Sequence, residues 1–238
     1  GTIGLMVDVL EIGDIEETTE DQPEGTGRIF SPTFTVIGLN YSRWFTESVS
    51  GGLTAKVISE SILQEQATGL AFDAGIRYQP GRGNLRLALL LKDFGPDMTF
   101  RGADFESFHQ TSHDPNANPR SLASQSASFE LPSVFQAGLA YSVLQRGANR
   151  LDGYGTFVNK NFGEDEYQIG AEYMLNQTLA LRAGYVASGD DDFNYGASFG
   201  VGFGLPLGES SFLNVDYGHR IVSDFFDDNQ ILSLKFAF

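Results

Sequence analysis

From Leu179 to Tyr185 every second residue is apolar or aromatic (Leu179, Leu181, Ala183, Tyr185), with Ala180, Arg182 and Gly184 between them. Leu213, Val215, Tyr217 and His219 alternate in the same way with Asn214, Asp216, Gly218 and Arg220. So do Phe72, Ala74, Ile76 and Tyr78 with Asp73, Gly75 and Arg77, and Leu85, Leu87, Leu89 and Leu91 with Arg86, Ala88, Leu90 and Lys92. Tyr167, Ile169, Ala171 and Tyr173 alternate with Gln168, Gly170 and Glu172, and the chain ends on Leu232, Leu234, Phe236 and Phe238. A two-residue period marks strands with two unlike faces. No segment of comparable length keeps a 3.6-residue period. The pattern predicts twelve strands: 2–12, 32–45, 50–60, 67–79, 84–94, 131–144, 150–160, 165–175, 178–188, 193–206, 210–222 and 229–238.

The connections sort by length. Those at 46–48, 80–83, 145–149, 176–177 and 208–209 are tight and rich in turn formers, and they follow the second, fourth, sixth, eighth and tenth strands. The alternate ones, 13–31, 61–66, 95–130, 161–164, 189–192 and 223–228, are longer or more acidic. Transmembrane β-barrels have this asymmetry, with short periplasmic turns and long extracellular loops. The strands are long enough to cross a bilayer, which takes about 9–11 residues each.

Alternation alone leaves open which face meets which solvent, because a soluble barrel would put the apolar set inside. Two features favour apolar-out. The polar face carries Gly196, Gly200, Gly202 and Gly204 in one strand, where a solvated outer face would more often carry Lys, Glu and Thr. Glycine on an inner wall lets another backbone come close. The chain also ends on alternating apolar residues and a terminal phenylalanine, the signature of outer-membrane C-terminal strands. The expectation is an all-β, antiparallel transmembrane barrel, a single domain over 1–238, in the bacterial outer membrane. Leu87, Leu89, Leu181, Val215, Leu234, Phe236 and Phe238 then meet lipid, and aromatics near strand ends form an interfacial girdle. Pairing every backbone group in lipid demands closure. The lumen receives Asp8, Lys56, Asp73, Arg77, Arg86, Lys92, Glu172, Arg182, Asp216, Arg220 and Lys235. This mixed set reads either as a polar conduit or as ion pairs filling the lumen, since a lone desolvated charge is costly.

Composition narrows the function classes. A net charge of −16 speaks against nucleic acid as a partner and against a basic membrane-surface helix. The longest apolar run is five residues, Leu87 to Leu91, far from a membrane helix. There is no cysteine, hence no disulfide framework or thiolate metal site. Gly1 opens directly into a strand pattern with no visible signal peptide, as expected if one was removed or the sequence begins partway.

Motifs with chemical potential lack the context that chemistry needs. Gly196-Ala197-Ser198-Phe199-Gly200 matches G-x-S-x-G but lies inside a strand, whereas the hydrolase elbow needs a strand, a turn and a helix. His109 and His113 have zinc spacing for a helix but stand in an irregular segment, and His219 falls on the apolar face near the loop-side rim. Asp190-Asp191-Asp192 and Asp224 to Asn229 are acidic tips without an EF-hand pattern, and Asp14 to Asp21 reads as a repelling surface. No catalytic arrangement and no cofactor are implied. The segment 95–130 is the interaction candidate, with Phe94, Met98, Phe100, Phe105 and Phe108 offered to the barrel mouth or to a partner protein.

Several stretches resemble the PorV/PorQ family of outer-membrane proteins, within the FadL-like barrels: GLAFDAGIRYQP (69–80), LRLALLLKDFGPDM (85–98), GTIGLMVDVLEIGDIEETT (1–19), LALRAGYVAS (179–188), GASFGVGFG (196–204), VDYGH (215–219) and the terminal Phe. The resemblance runs the whole length, and the order of the motifs carries it. It implies fourteen strands and an N-terminal plug, so a plug and about two strands are expected upstream of Gly1. It implies two functions. PorV-like members bind the type IX secretion translocon and escort secreted cargo, and FadL-like members pass hydrophobic small molecules. The partners implied are membrane lipid, other outer-membrane or secreted proteins, and a hydrophobic ligand or lipid in the lumen.

Overall fold

The computed structural model describes residues 1–81, 83–109, 120–123, 126–190, 193–207, 211–223 and 227–237. Twelve long strands stand among them: β1 Thr2–Glu11, β2 Thr33–Trp44, β3 Val49–Ile62, β4 Glu65–Tyr78, β5 Leu85–Phe94, β6 Val134–Arg146, β7 Asn149–Lys160, β8 Glu166–Leu175, β9 Leu179–Ser188, β10 Tyr195–Pro206, β11 Phe212–Val222 and β12 Asn229–Ala237. Each lies within three residues of its predicted bounds. The largest displacement, at the start of β6, has a physical cause: Leu131 is buried in a hydrophobic cluster, and Pro132 has no N–H to give to a ladder.

The connection 61–66 differs from expectation. It is a two-residue turn at Leu63 and Gln64, with Leu63 at φ 53°. Glu65 and Gln66 pair with Gly102 and Arg101, which extends β4 beyond its predicted start. Of the tight turns, Asn176 and Gln177 both take positive φ, as a type I′ hairpin requires. The turn at 208–209 lies outside the described residues.

The chain forms two compact units. The first comprises 1–43, 52–74 and 92–132. In it β1 pairs antiparallel with β2 from Thr2↔Ser42 to Glu11↔Thr33, and the order continues through β3 and β4 to the end of β5. Val36, Ile58, Ala67 and Ala71 share one face with Lys56 and Asp73, and that face takes a small cluster completed by Met98, Phe100, Phe129 and Leu131. Met98 and Phe129 exchange two backbone hydrogen bonds of 2.9 Å, and Phe100 stacks on Phe129 at 5.4 Å. Gly69 makes room for Met98, because a Cβ there would lie 2.5 Å from Met98 Cγ. The opposite face is exposed and apolar, Leu5 reaching 82%.

The second unit comprises 44–51, 75–91 and 133–238. Strands β6 to β12 follow one another in an antiparallel meander. One bulge falls at Ser142/Leu144 and another between Tyr195 and Ser198. Here too the apolar face is the exposed one: Tyr167 and Ile169 on β8 are 59% and 66% exposed, while the Asp152 side chain on the other face is wholly buried.

A charge tests this assignment of faces. Leu232→Arg is expected to cost about 2–4 kcal/mol of folding free energy in lipid vesicles, the range for Arg at mid-depth on a barrel's lipid face. Ser233→Arg, on the other face opposite Asp216, is expected to cost less than about 1 kcal/mol. Denaturant titration of both variants checks this, and equal losses would contradict it.

Candidate functional site on the polar face

In the second unit the register places Ser142, Asp152, Glu172, Arg182, Gly200, Gly218 and Ile231 in one row across β6 to β12. Directly opposed residues on neighbouring strands project together. The row and its neighbours therefore form a continuous chain of charge. Asp152 accepts from Ser142 Oγ at 2.7 Å and from the Tyr154 hydroxyl at 3.3 Å. Its Oδ2 lies 3.0 Å from Arg86 Nη2 and 2.9 Å from Arg150 Nε. Both guanidinium contacts are ion pairs rather than aligned hydrogen bonds. Arg150 continues to Glu172 at 3.7 Å. Arg182 then donates to Glu172 at 2.7 Å and to Asp216 at 2.5 Å. Three guanidiniums face three carboxylates, so the network is neutral.

The glycine strand makes the last link possible. Arg182 stands on β9 and Asp216 on β11, with β10 between them. The side chain crosses β10 over Gly200 and Gly202. A Cβ at Gly202 would stand 3.0 Å from Arg182 Nη1 and closer still to Asp216 Oδ1. The sequence led to the expectation that another backbone approaches these glycines. At Gly200 the neighbouring backbone does so, through the Tyr217 carbonyl, beside the Arg182 stem; at Gly202 it is the half-buried Arg182–Asp216 ion pair that takes the space, and at Gly204 the Phe212 ring.

Beside this network lies a trough of about 530 Å³, within the range of about 300–1,000 Å³ common for small-molecule sites. Gly170, Gly184, Gly200 and Gly218 form its floor, and Tyr154, Ser198, Arg220 and Ile231 stand along it. Arg220 pairs with no described carboxylate and sits over the Tyr195 ring at 5.3 Å. The bulge between Tyr195 and Ser198 makes this contact, since it puts both residues on the face of Arg220.

The first unit has its own buried cation. Lys56, 5% exposed, lies 2.7 Å from both Asp73 and Asp93, and Asp73 also accepts from the Asp93 N–H at 2.9 Å. Asp93 reaches the polar face because its φ is 56°, which breaks the alternation that would send it outward.

The other predicted residues fall as follows. Arg77 bonds to Gln79, Lys92 is half-buried, and Lys235 stands opposite Asn214. Leu87, Leu89, Leu181, Leu234 and Phe236 are exposed and Val215 is half-buried, while Phe238 lies outside the described residues. In the candidate partner segment Phe94 is exposed, Met98 is buried, and Phe100 is stacked against the wall of its unit. Phe105 is half-buried, and the Phe108 and His109 side chains, like His113, lie outside the described residues. His219 pairs with Asp228 at 3.1 Å. Sequence reading passed over Asp93, Arg150 and Asp152. The alternation Arg150, Asp152, Tyr154, Thr156 marks the latter two, whereas nothing in the sequence marks the turn of Asp93.

No protein-family model matches the chain, and no curated protein does. Among solved structures it is similar to an outer-membrane channel from Pseudomonas putida F1, at 12% identity and a TM-score of 0.50, over 98% of this chain and 93% of that one. It is also similar to the CymD monoaromatic hydrocarbon channel, at 12% identity and a TM-score of 0.49, over 99% and 86% of the two chains. At such identity the first likeness speaks to fold. The chain has the antiparallel transmembrane β-barrel fold of outer-membrane channels. Nothing in these likenesses is specific to the PorV/PorQ type.

Two substitutions test the network. Asp152→Ala leaves Arg86 and Arg150 without their shared carboxylate and is expected to cost about 3–5 kcal/mol, as breaking a buried ion pair does. Gly202→Val is expected to lower the unfolding midpoint and to free Arg182 from Asp216. Denaturation in detergent, combined with an Asp216→Asn background, reads this out: the loss caused by Gly202→Val should shrink once Asp216 no longer holds the guanidinium.

Proposed function

We propose that this protein is a non-enzymatic channel of the bacterial outer membrane that passes small, largely apolar molecules along the glycine-floored trough on its luminal face. The observation that carries this reading is the trough beside a self-neutralised charge network. Because Asp152, Glu172 and Asp216 are each matched by an arginine, they present little net charge to a passing solute. Glycine leaves an open floor, and Tyr154 and Ile231 supply apolar contact.

Ser198 lines the trough at the edge of the β10 bulge and takes part in no ion pair, so Ser198→Trp fills the path while leaving the carboxylate and guanidinium partners in place. Expression of the chain in a host with a low-permeability outer membrane is expected to raise uptake of radiolabelled toluene several-fold. Ser198→Trp is expected to remove most of that gain while retaining heat-modifiable folding on gels. Unchanged uptake by the variant would remove the trough from the route.

A second reading, binding of secreted or envelope proteins in the PorV/PorQ manner, has one structural support. The segment after β5 carries an antiparallel pair, Glu106–His109 with Arg120–Ala123, on a base fastened by Met98 and Phe129. Deleting 104–125 spares that base. Under this reading the deletion abolishes capture of type IX secretion components in pull-downs, and retained capture counts against it.

A further inference from the structure

We infer that the trough selects small molecules that join an apolar body to one anionic group, with Arg220 as the residue that recognises the anion. The inference rests on the channel reading above and names its substrate class. The arginines of the charge network and of the trough divide into two kinds. Arg86, Arg150 and Arg182 are all held by carboxylates. Arg220 faces the same cavity with no described carboxylate against it, braced only by the Tyr195 ring. The described carboxylates that line the trough, Asp216 and Glu172, are engaged by Arg182, and Asp228, just before β12, is engaged by His219 on the other face of β11. The guanidinium therefore projects a positive field into the trough, with five N–H donors suited to a carboxylate or similar planar anion.

Its surroundings complete such a site. The register puts Tyr154, Gly170, Gly184, Ser198, Arg220 and Asn229 in one row across β7 to β12. At one end of the row stand the Ser198 hydroxyl, the Arg220 guanidinium and the Asn229 amide, all able to donate to an anion. Toward the other end lie two glycines and the Tyr154 ring, a flat slot that an aromatic or short aliphatic body fills. A cation would meet Arg220 unfavourably, and a neutral body would leave its donors without an acceptor.

The test uses the full chain in lipid nanodiscs and three probes of one size: benzoate, benzamide and benzylamine. Saturation-transfer NMR titrations are expected to show benzoate binding at least tenfold more tightly than benzamide, with benzylamine weakest. Arg220→Gln is expected to weaken benzoate about tenfold and leave benzamide unchanged, and Arg220→Lys to restore part of the loss. Equal binding of the three probes, binding of none, or benzoate affinity indifferent to Arg220→Gln would overturn the inference. Toluene uptake by the unmodified chain separates this outcome from failure of the channel reading. Uptake above the host background keeps the channel and rejects only the anion site when the benzoate result is negative.

Discussion

The buried carboxylate of Asp152, shared by two guanidiniums and two hydroxyls, is the constraint around which the larger unit is arranged. The strands here expose an apolar face, which leaves the other face to hold the charges. Among the described residues only seven hydrophobic side chains are buried, four of them alanine or methionine. A protein with so small an apolar interior cannot rest on a conventional core. It rests on backbone ladders that pair every strand with its neighbour and on charges that neutralise one another across them. In the low-dielectric wall an unmatched carboxylate would cost several kcal/mol, so the network must be complete or absent.

Completeness has a spatial consequence. Arg182 has to reach over a whole strand to Asp216, which it does because β10 presents Gly200 and Gly202 in its path. The same absence of side chains continues into Gly170, Gly184 and Gly218 and leaves the trough. One device thus serves stability and access together. Glycine weakens a strand locally, and here the loss is offset by an ion pair that ties three strands. The first unit solves the same problem differently. Lys56 is buried between Asp73 and Asp93, and the chain after β5 turns back so that Met98 and Leu131 cover the neighbouring apolar patch. This use of Met98 and Phe100 as packing residues explains their place in a segment otherwise polar.

Much of this was legible from alternation. Period two located all twelve long strands and separated Leu181 from Arg182, and Val215 from Asp216, because a strand's side chains must point to opposite faces. Loop lengths separated one sheet end from the other, except at 61–66, where the short strand Arg101–Gly102 extends β4 and leaves only a two-residue turn. The glycine run was visible, but its reason was not, since nothing local to 196–204 announces an arginine arriving from the preceding strand.

What the sequence by itself determined is therefore the set of strands and the two faces of each, properties decided by residues two apart. Only the tertiary structure decided which charges meet. Arg86 with Asp152 and Arg182 with Asp216 are separated by 66 and 34 positions and become neighbours through register, which is summed over every intervening turn and bulge. Asp93 makes the same point at a single residue: one positive φ carries its carboxylate to Lys56, a contact 37 positions away that strand alternation would not have predicted.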